Sequence, residues 1–433
     1  MGGVTADDTI YALSTGQPPA AIAIVRISGP AADEALRRLA GRLPGPRRAE
    51  LVALRRPSDG ALLDRGLALR FPGPASATGE DMAELHLHGG RAVVRAVLEA
   101  LGDVPGLRGA EPGEFTRRAF ANGRIDLTEA EGLADLLSAE TEAQRRAALG
   151  LAGGALGRMV EGWRGRILAL AAQLEAVLDF SDEGEVGEGL PQGWHDELRK
   201  LLSEFEHLLS RPAAERLRDG IRVVIAGPPN AGKSTLFNVL VGREAAITSP
   251  LAGTTRDVIE APTSLGGTAF LLVDTAGLRH ESDDTIEMAG VERAHQRVET
   301  ADILLWLGEP SECPRRGRAI VVAAKADLGQ PGADDSDVQV SALTGAGLDK
   351  LLDLVQAHST ELLPAGGEVA LNARHRIAVA DAVGALQEAG REGDLLLIAE
   401  ALRRARLALD RVTGRAGTED MLDALFARFC VGK

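Results

Sequence analysis

The residues with the clearest chemistry form a loop, Gly227–Ser234, with the sequence GPPNAGKS. This loop matches the pattern G-x-x-x-x-G-K-[ST] and follows an apolar stretch, IRVVIA, which is typical of a strand. The stretch after it, TLFNVLVG, is typical of a helix. Glycines let consecutive backbone N–H groups face phosphate oxygens at a helix N-terminus, where the dipole favours anions. The alternative, a glycine-rich turn that binds nothing, does not explain this strand and helix context.

Within this loop, Lys233 is expected to reach the β- and γ-phosphates, and the Ser234 hydroxyl to bind Mg²⁺. The residues expected to line the nucleotide here are Asn230, Ala231, Gly232, Lys233, Ser234 and Thr235.

Two further stretches downstream are spaced as in nucleotide switches. Asp274, Thr275, Ala276 and Gly277 (DTAG) end the apolar stretch AFLLV, so Asp274 is expected near Mg²⁺ and the Gly277 N–H near a γ-phosphate. Between the two motifs, GTTRD (253–257) supplies hydroxyls at Thr254 and Thr255, and Thr255 is the expected Mg²⁺ ligand. A threonine-rich turn without a ligand is the simpler alternative for this loop.

The choice of base is indicated by two short motifs after predicted strands. Lys325 and Asp327 follow AIVVAA, and Ser341 and Ala342 follow VQV. The lysine stem and the carboxylate would lie where a guanine ring binds, so the five stretches together specify a GTPase. Position 324 is Ala, where the guanine-reading motif N-K-x-D has Asn, so we expect guanine preference to be retained but weakened.

Hydrolysis needs a group that orients the attacking water. Ras-like proteins place Gln directly after DTAG, whereas position 278 here is Leu. Glu287, in TIEMAGVERA, is the nearby candidate, although the sequence alone favours a solvated helix carboxylate at this position.

Composition sets limits on the rest of the chain. A length of 433 residues predicts two or three domains. The charged fraction of 26% and the hydrophobic fraction of 45% are typical of globular proteins, which excludes global disorder. The net charge of −15 argues against binding nucleic acid through a global positive field. Neither an apolar run of about 18 residues nor a secretory signal is visible, and two cysteines cannot form a disulfide framework, so we expect a cytoplasmic protein.

The pattern along the chain predicts a multidomain α/β plus all-α fold. Residues 1–120 read as a mixed α/β domain, with strands at 20–28, 62–71 and 82–88 and helices at 31–43 and 91–101. Residues 121–219 and 363–433 have helical periodicity. Residues 220–362 alternate strand and helix, which predicts a mostly parallel sheet inserted into the helical domain. Only 11 residues, 308–318, join two presumed parallel strands, so the crossover helix should be missing or reduced to a turn.

The motifs resemble those of the MnmE (TrmE) family of tRNA-modification GTPases, over nearly the whole chain and in the same order. The resemblance is carried by PNAGKSTLFNVLVGREAAITSPLAGTTRDVIE, DTAGLR, GVERA, TGEDMAELHLHGG, GEFTRRAF and FCVGK. It implies a folate-binding-like N-terminal domain, a helical domain and an inserted Ras-like GTPase domain. It also implies a homodimer through the N-terminal domains, with GTPase domains that pair in the presence of K⁺.

Several site residues are implied by this resemblance alone. Glu287 corresponds to the family's catalytic glutamate, and Ser249 joins the nucleotide-binding loop. The implied K⁺ ligands are Asn230, Ser249, Leu251 and Thr254. Arg26, Glu84 and Arg124 correspond to residues that bind a tetrahydrofolate derivative (5,10-methylene- or 5-formyl-), and Lys433 would reach the same pocket. Family members often have Lys at position 124 and Thr at position 249.

Three residues near these positions permit other interpretations. His86 and His88 could form a metal pair, but no third ligand of suitable spacing is evident. Cys430 could be a nucleophile, and a structural contact of the tail is the alternative.

The resemblance implies a GTP-hydrolysing subunit of a complex that modifies C5 of the tRNA wobble uridine, U34. Its partner would be a flavin-dependent protein (MnmG/GidA) in a heterotetramer, and tetrahydrofolate would supply a one-carbon unit. The alternative is a GTP-switch factor for ribosome assembly, which predicts an appended RNA-binding module with a basic GxxG loop; residues 363–433 contain none. A stand-alone folate enzyme would leave the GTPase motifs unexplained.

Overall fold

The computed structural model describes residues 8–180, 190–243, 259–275, 297–314, 319–328, 335–364, 368–416, 419–427 and 429–432. The chain divides into two compact units, one of residues 1–134 with 413–433 and the other of residues 135–412. The domain boundaries predicted at residues 120, 219 and 362 stay predictions.

The first unit is built on a six-stranded sheet with the order β3-β4-β5-β2-β1-β6. Its strands are β1 (Thr9–Leu13), β2 (Ile22–Ser28), β3 (Glu50–Arg55), β4 (Leu62–Phe71), β5 (Met82–His88) and β6 (Leu107–Gly109). Its helices are α1 (Ala32–Ala40), α2 (Arg91–Gly102), α3 (Glu114–Ala121) and α4 (Leu127–Ser138), the last of which ends in the second unit. All pairs are antiparallel except β1 with β6. Alternation places Val25, Ile27 and Leu85 in the core with Leu36 of α1 and Val97 of α2.

The predicted strands at 62–71 and 82–88 are confirmed to the residue. The predicted helix at 31–43 is shorter, because Gly41 adopts φ +70° after Ala40 and ends it in a left-handed C-cap. The sequence analysis missed β1 and β3, which are short and carry no turn signal of their own at both ends.

The second unit contains a helical bundle. Its helices are α5 (Glu142–Ala152), α6 (Ala155–Phe180), α7 (Gln192–Ser210), α8 (Ala214–Arg218), and, after the inserted sheet, α11 (Ala373–Arg391) and α12 (Leu395–Thr413), whose last residue falls in the first unit. Trp163 and Phe205 pack edge to face, 4.5 Å apart, in a core that also includes Trp194 and Leu386. The helical periodicity of both sequence segments is therefore explained by one shared core.

A second six-stranded sheet, with the order β12-β11-β10-β7-β9-β8, lies between α8 and α11 in the sequence. Its elements are β7 (Ile221–Ala226), α9 (Lys233–Arg243), β8 (Ile259–Leu265), β9 (Thr268–Asp274), β10 (Ile303–Trp306), β11 (Ala319–Ala323), β12 (Val338–Gln339) and α10 (Leu348–Leu362). Every pairing is parallel except β8 with β9. This confirms the predicted parallel α/β core. The β10–β11 connection contains a three-residue 3₁₀ turn, Pro310–Glu312, as its only helical element within residues 307–314.

The first unit ends in α13 (Glu419–Phe426), whose Phe426 packs on Phe120 of α3. Within the described residues, none of the helices is both long and apolar enough to cross a bilayer.

Candidate functional site

The phosphate-binding loop connects the buried strand β7 to α9. Gly227 has φ +147°, and a Cβ there would lie 2.5 Å from the Leu307 carbonyl oxygen, so only glycine fits. Lys233 is 9% exposed, and its Nζ donates to the carbonyls of Gly227 (3.0 Å) and Pro228 (2.7 Å). The ammonium group thus bends back over the loop, and phosphate oxygens would replace these carbonyls as its acceptors.

The hydroxyls at the start of α9 are accessible. Ser234 and Thr235 are exposed, and Gly232 has φ +98° with no atom closer than 3.8 Å to where a Cβ would be. Open space above Gly232 and an exposed hydroxyl at Ser234 fit a nucleotide–Mg²⁺ group at this helix N-terminus.

Asp274 ends β9 beside β7, because the register pairs it with Ile225. Its side chain is 1% exposed. The adjacent Thr275 Oγ1 donates to the Ile225 carbonyl (2.8 Å), which ties the start of the DTAG segment to the strand before the phosphate-binding loop. Parallel pairing therefore places this carboxylate at the same sheet edge as Gly227, as the sequence predicts.

The base-binding residues are linked to one another. The Ser341 hydroxyl donates to Asp327 Oδ1 at 2.6 Å, and Lys325 Nζ donates to the Asn230 carbonyl at 2.7 Å. Both Lys325 (φ 59°) and Asn230 (φ 60°) have left-handed backbones, which is uncommon for residues other than glycine. The lysine therefore joins the 325–327 motif to the phosphate-binding loop. Ala324, in place of Asn, contributes apolar packing to the core instead of hydrogen bonds.

Several predicted residues lie outside the described part of the chain, so the structure does not test them. They are Ser249, Leu251, Thr254, Thr255, Ala276, Gly277, Glu287 and Lys433.

In the first unit, Arg26 and Glu84 are brought together by the register of β2 and β5, which pairs them directly. Arg26 Nη2 donates to Glu84 Oε1 at 2.9 Å, and Nε donates to the same oxygen at 3.1 Å. The other carboxylate oxygen lies 3.3 Å from His86 Nε2. The Arg26 guanidinium also lies 5.9 Å from the ring centroid of Phe115 on α3. Glu84 is thus an acceptor held between two basic side chains.

His86 and Phe115 were not predicted as part of this cluster. The alternation of β5 places His86 on the same face as Glu84, which the sequence pattern could have indicated. Phe115 gave no such signal, because its contact with Arg26 depends on how α3 packs on the sheet. His88 pairs instead with Asp64 (Nδ1 to Oδ1, 2.8 Å). No group of three or more His, Cys, Asp or Glu suited to a metal occurs among the described residues.

Arg124 lies against the loop that leads into β5. A Cβ on Gly79 (φ +84°) would lie 3.2 Å from Arg124 Cγ. Asn122 Nδ2 donates to the Thr78 carbonyl at 2.8 Å and fixes this loop to the end of α3. The Arg124 guanidinium is exposed and has no hydrogen-bond partner within the described residues.

A buried ionic network lies at the other end of α3. Arg118 is 2% exposed and donates to Asp8 Oδ1 (2.6 Å), Glu114 Oε1 (3.0 Å) and Glu80 (3.3 Å). Burial raises the pKa of Glu114, but hydrogen bonds from Arg108, the Glu111 N–H and Arg118 outweigh it, so this pKa lies below its ordinary value. The network fixes α3 to the loop before β5, and the sequence analysis missed it because its members are far apart in sequence.

The C-terminal tail returns to the N-terminal sheet. Val431 forms a bridge with Pro112, and the Ser14 hydroxyl donates to the Gly432 carbonyl at 2.8 Å. Gly432 has φ +98°, and a Cβ there would lie 2.1 Å from the Leu13 carbonyl oxygen. Leu13 pairs with Val25, the neighbour of Arg26, so the tail reaches the strand pair that carries the Arg26–Glu84 cluster.

Comparison with known proteins adds the family. The family model described as "GTP-binding protein TrmE N-terminus" matches residues 9–124, and that of the MnmE helical domain matches residues 127–430. A tRNA modification GTPase MnmE from Rhizorhabdus wittichii is 59% identical over 433 residues, which are 100% of this chain and 98% of that protein. One from Erythrobacter litoralis is 56% identical over 98% of this chain and 100% of that protein.

Among solved structures, Aquifex aeolicus Era bound to GDP and AlF4⁻ is 28% identical, with a TM-score of 0.25, over 40% of this chain and 69% of that chain. The family models and the full-length relatives carry the assignment, and the loop geometry agrees with it. The chain belongs to the family of tRNA modification GTPases named MnmE.

Proposed function

We propose that this GTPase is the GTP-hydrolysing subunit of a complex that modifies C5 of the tRNA wobble uridine, U34. The observation that carries the proposal is one chain with two kinds of site: a guanine-nucleotide loop, and the Arg26–Glu84 cluster with a returning tail in a separate unit. Relatives at 59% and 56% identity are named tRNA modification GTPases, which supports RNA as the target.

In the nucleotide site, Lys233 would hold the phosphates, and Ser234 and Thr255 would hold Mg²⁺. K⁺ would bind through Asn230, Ser249, Leu251 and Thr254, and Glu287 would orient the attacking water. Asn230 supports this assignment, because its left-handed backbone is fixed by Lys325 at its carbonyl. A preorganised loop of this kind can present oxygen ligands to a cation without a further ordering cost.

K⁺ would then take the place of an arginine finger, which contributes roughly 10³–10⁵ in rate. The expected result is that GTP turnover rises steeply with KCl and not with NaCl at equal ionic strength. Equal turnover in the two salts would contradict the K⁺ proposal and leave the nucleotide site itself in place.

A tetrahydrofolate derivative (5,10-methylene- or 5-formyl-) would bind at the Arg26–Glu84 cluster. Glu84 has a side chain that is 15% exposed and is fixed between Arg26 and His86, so it is suited to accept hydrogen bonds from a pterin-like edge. Arg124, exposed and unpaired within the described residues, suits a carboxylate of the glutamate tail. Lys433 follows Gly432, which is anchored at Ser14, and would contribute a second cation.

A homodimer through the N-terminal sheet is also part of the proposal. Three large apolar side chains, on the sheet face opposite α1 and α2, are exposed: Ile22 (60%), Leu51 (69%) and Leu67 (39%). Leu51 and Leu67 are direct cross-strand partners. A continuous apolar face of this kind is typical of a surface that another chain covers.

The proposed partner is the flavin-dependent protein MnmG/GidA, in a heterotetramer, and the proposed location is the cytoplasm. The decisive experiment is mass spectrometry of wobble nucleosides from a strain that lacks this gene, with and without the wild-type copy. Loss of the C5 modification, restored by the wild-type copy, is the expected result. Unchanged nucleosides, together with a ribosome-assembly defect, would favour the assembly-factor alternative.

A further inference from the structure

A strongly basic segment occurs in an otherwise acidic chain. Residues 37–48, RRLAGRLPGPRR, contain five arginines and no Asp or Glu, whereas the whole chain carries −15. We call these residues the arginine segment; they form the end of α1 and the loop into β3. All five arginines are exposed. Neither the nucleotide site nor the Arg26–Glu84 cluster uses this segment.

The loop part of the segment has a fixed backbone. The Arg47 N–H donates to the Arg70 carbonyl at 2.8 Å, and the Gly45 N–H donates to Glu50 Oε1 at 2.8 Å. Arg47 has φ 57°, a left-handed conformation that costs roughly 1–3 kcal/mol for a residue other than glycine. Its guanidinium lies 5.7 Å from the Phe71 ring centroid and donates to the Ala75 carbonyl. The surrounding contacts therefore hold Arg48 in one place.

Structural roles explain part of this charge. Arg37 and Arg38 lie in the last turn of α1, where cations favour the helix dipole, and both approach Glu34. Arg42 pairs with Glu50 at 3.1 Å. Neither Arg47 nor Arg48 pairs with a carboxylate within the described residues. Protection of an edge strand does not explain them, because both precede β3.

The apolar residues of the segment are turned inwards. Leu39 is 1% exposed, Pro44 is buried and Leu43 is half-buried. A surface that binds membranes needs exposed apolar side chains beside its cations, and this segment has none. A rigid, polar surface of guanidinium groups instead matches phosphate oxygens, which arginine binds in a bidentate manner.

We propose that the arginine segment binds the phosphate backbone of the substrate RNA. This inference rests on the proposed function, since it takes tRNA as the RNA that is bound. It gives an acidic protein a local RNA-binding surface of its own, in place of a global positive field.

The test is the salt dependence of binding to an unmodified tRNA transcript with U34, measured by fluorescence anisotropy on the full-length protein in NaCl, without nucleotide. Each phosphate contact contributes about 0.7–0.9 to the slope of log K against log salt. The double variant Arg37→Gln/Arg48→Gln should therefore lower the slope by about 1.4–1.8. The matching loss of affinity at 0.1 M salt is about 5- to 8-fold for each arginine.

The matched control is Arg145→Gln/Arg146→Gln in α5. These arginines are 49% and 69% exposed and pair with Glu142, and the change in net charge is the same. An unchanged slope in the control, with a lower slope in the first variant, supports the proposal. Equal slopes in both variants, whether lowered or unchanged, contradict it, because the charge effect would then be global or absent.

Two further outcomes separate this inference from the proposed function. Binding of wild-type protein to anionic phosphatidylglycerol vesicles, without salt-sensitive binding to tRNA, would overturn the RNA surface in favour of a membrane surface. Normal wobble modification in the gene-deletion strain would instead contradict the proposed function. If modification depends on the gene and the slope is unchanged in the Arg37→Gln/Arg48→Gln variant, only the arginine segment proposal fails.

Discussion

Asp327 is the single carboxylate on which the choice of base depends, and Ser341 holds one of its oxygens at 2.6 Å. In Asp327→Asn the side chain gains a donor and loses an acceptor, so it should favour the O2 carbonyl of xanthine over the amino group of guanine. Hydrogen bonds to charged groups contribute about 1.5–3 kcal/mol each, so we expect a roughly 100-fold loss of GTP affinity and a gain for XTP. Nucleotide titrations measure both, with Asp353→Asn on the exposed face of α10 as the control.

If Asp327→Asn discriminates between GTP and XTP as the wild type does, the base is read elsewhere and the motif assignment is wrong. Ala324 sharpens this test, since no asparagine at that position can compensate.

Glu114 is a buried carboxylate, 4% exposed, that Arg108, Arg118 and the Glu111 N–H keep ionised. In Glu114→Gln the two arginines would lose this charge, and breaking a buried ion pair typically costs about 3–5 kcal/mol. Hydrogen–deuterium exchange of α3 should therefore be much faster than in wild type at pH 7. Glu111→Gln, an exposed neighbour, should leave it unchanged.

The pH dependence of this difference follows from the direction of the Glu114 pKa shift. A carboxylate with a lowered pKa in the folded state contributes stability above its unfolded pKa, about 4.3, and loses it as the pH falls through the folded value. The gap between wild type and Glu114→Gln should thus be full near pH 7 and shrink below about pH 4. A gap that grows on acidification would contradict the network as described.

At the scale of elements, the C-terminal tail is anchored by its backbone, which makes its glycine the sensitive position. In Gly432→Ala the new Cβ would meet the Leu13 carbonyl oxygen at 2.1 Å, and φ +98° is strained for alanine. The tail should detach from β1, and wobble modification should fall strongly while GTP hydrolysis stays near the wild-type rate. Nucleoside mass spectrometry and a phosphate-release assay measure the two activities.

Val431→Ala is the control for the tail, because this side chain is 51% exposed and its bridge to Pro112 uses only the backbone. Full modification in Gly432→Ala would mean that the tail contact has no part in the folate site.

At the scale of the whole molecule, the two proposed sites lie in different compact units. Glu84→Ala should therefore weaken binding of 5-formyltetrahydrofolate in a calorimetric titration and abolish wobble modification. K⁺-stimulated GTP hydrolysis should stay within about threefold of wild type, which corresponds to less than about 0.7 kcal/mol. Normal modified nucleosides in a Glu84→Ala strain would remove the folate site from the proposal. His88→Gln, on the same strand but paired with Asp64, is the matched control.

The sequence by itself determined the parts of this protein whose chemistry is local. The phosphate-binding loop, the DTAG segment and the Lys325–Asp327 motif are read from contiguous residues, because each consists of one turn at the end of one strand. The parallel sheet followed from the alternation of strand and helix, and the short β10–β11 connection from its length alone.

Tertiary structure decided everything that depends on pairing between distant segments. Arg26 and Glu84 meet through a strand register 58 residues apart, and Lys325 reaches the Asn230 carbonyl across 95 residues. The buried network around Arg118 and the return of the tail to Ser14 were invisible in the sequence for the same reason. A charged side chain in a sequence reads as solvated until the fold supplies its partner, because the periodicity of a strand or helix fixes its face and not its neighbour.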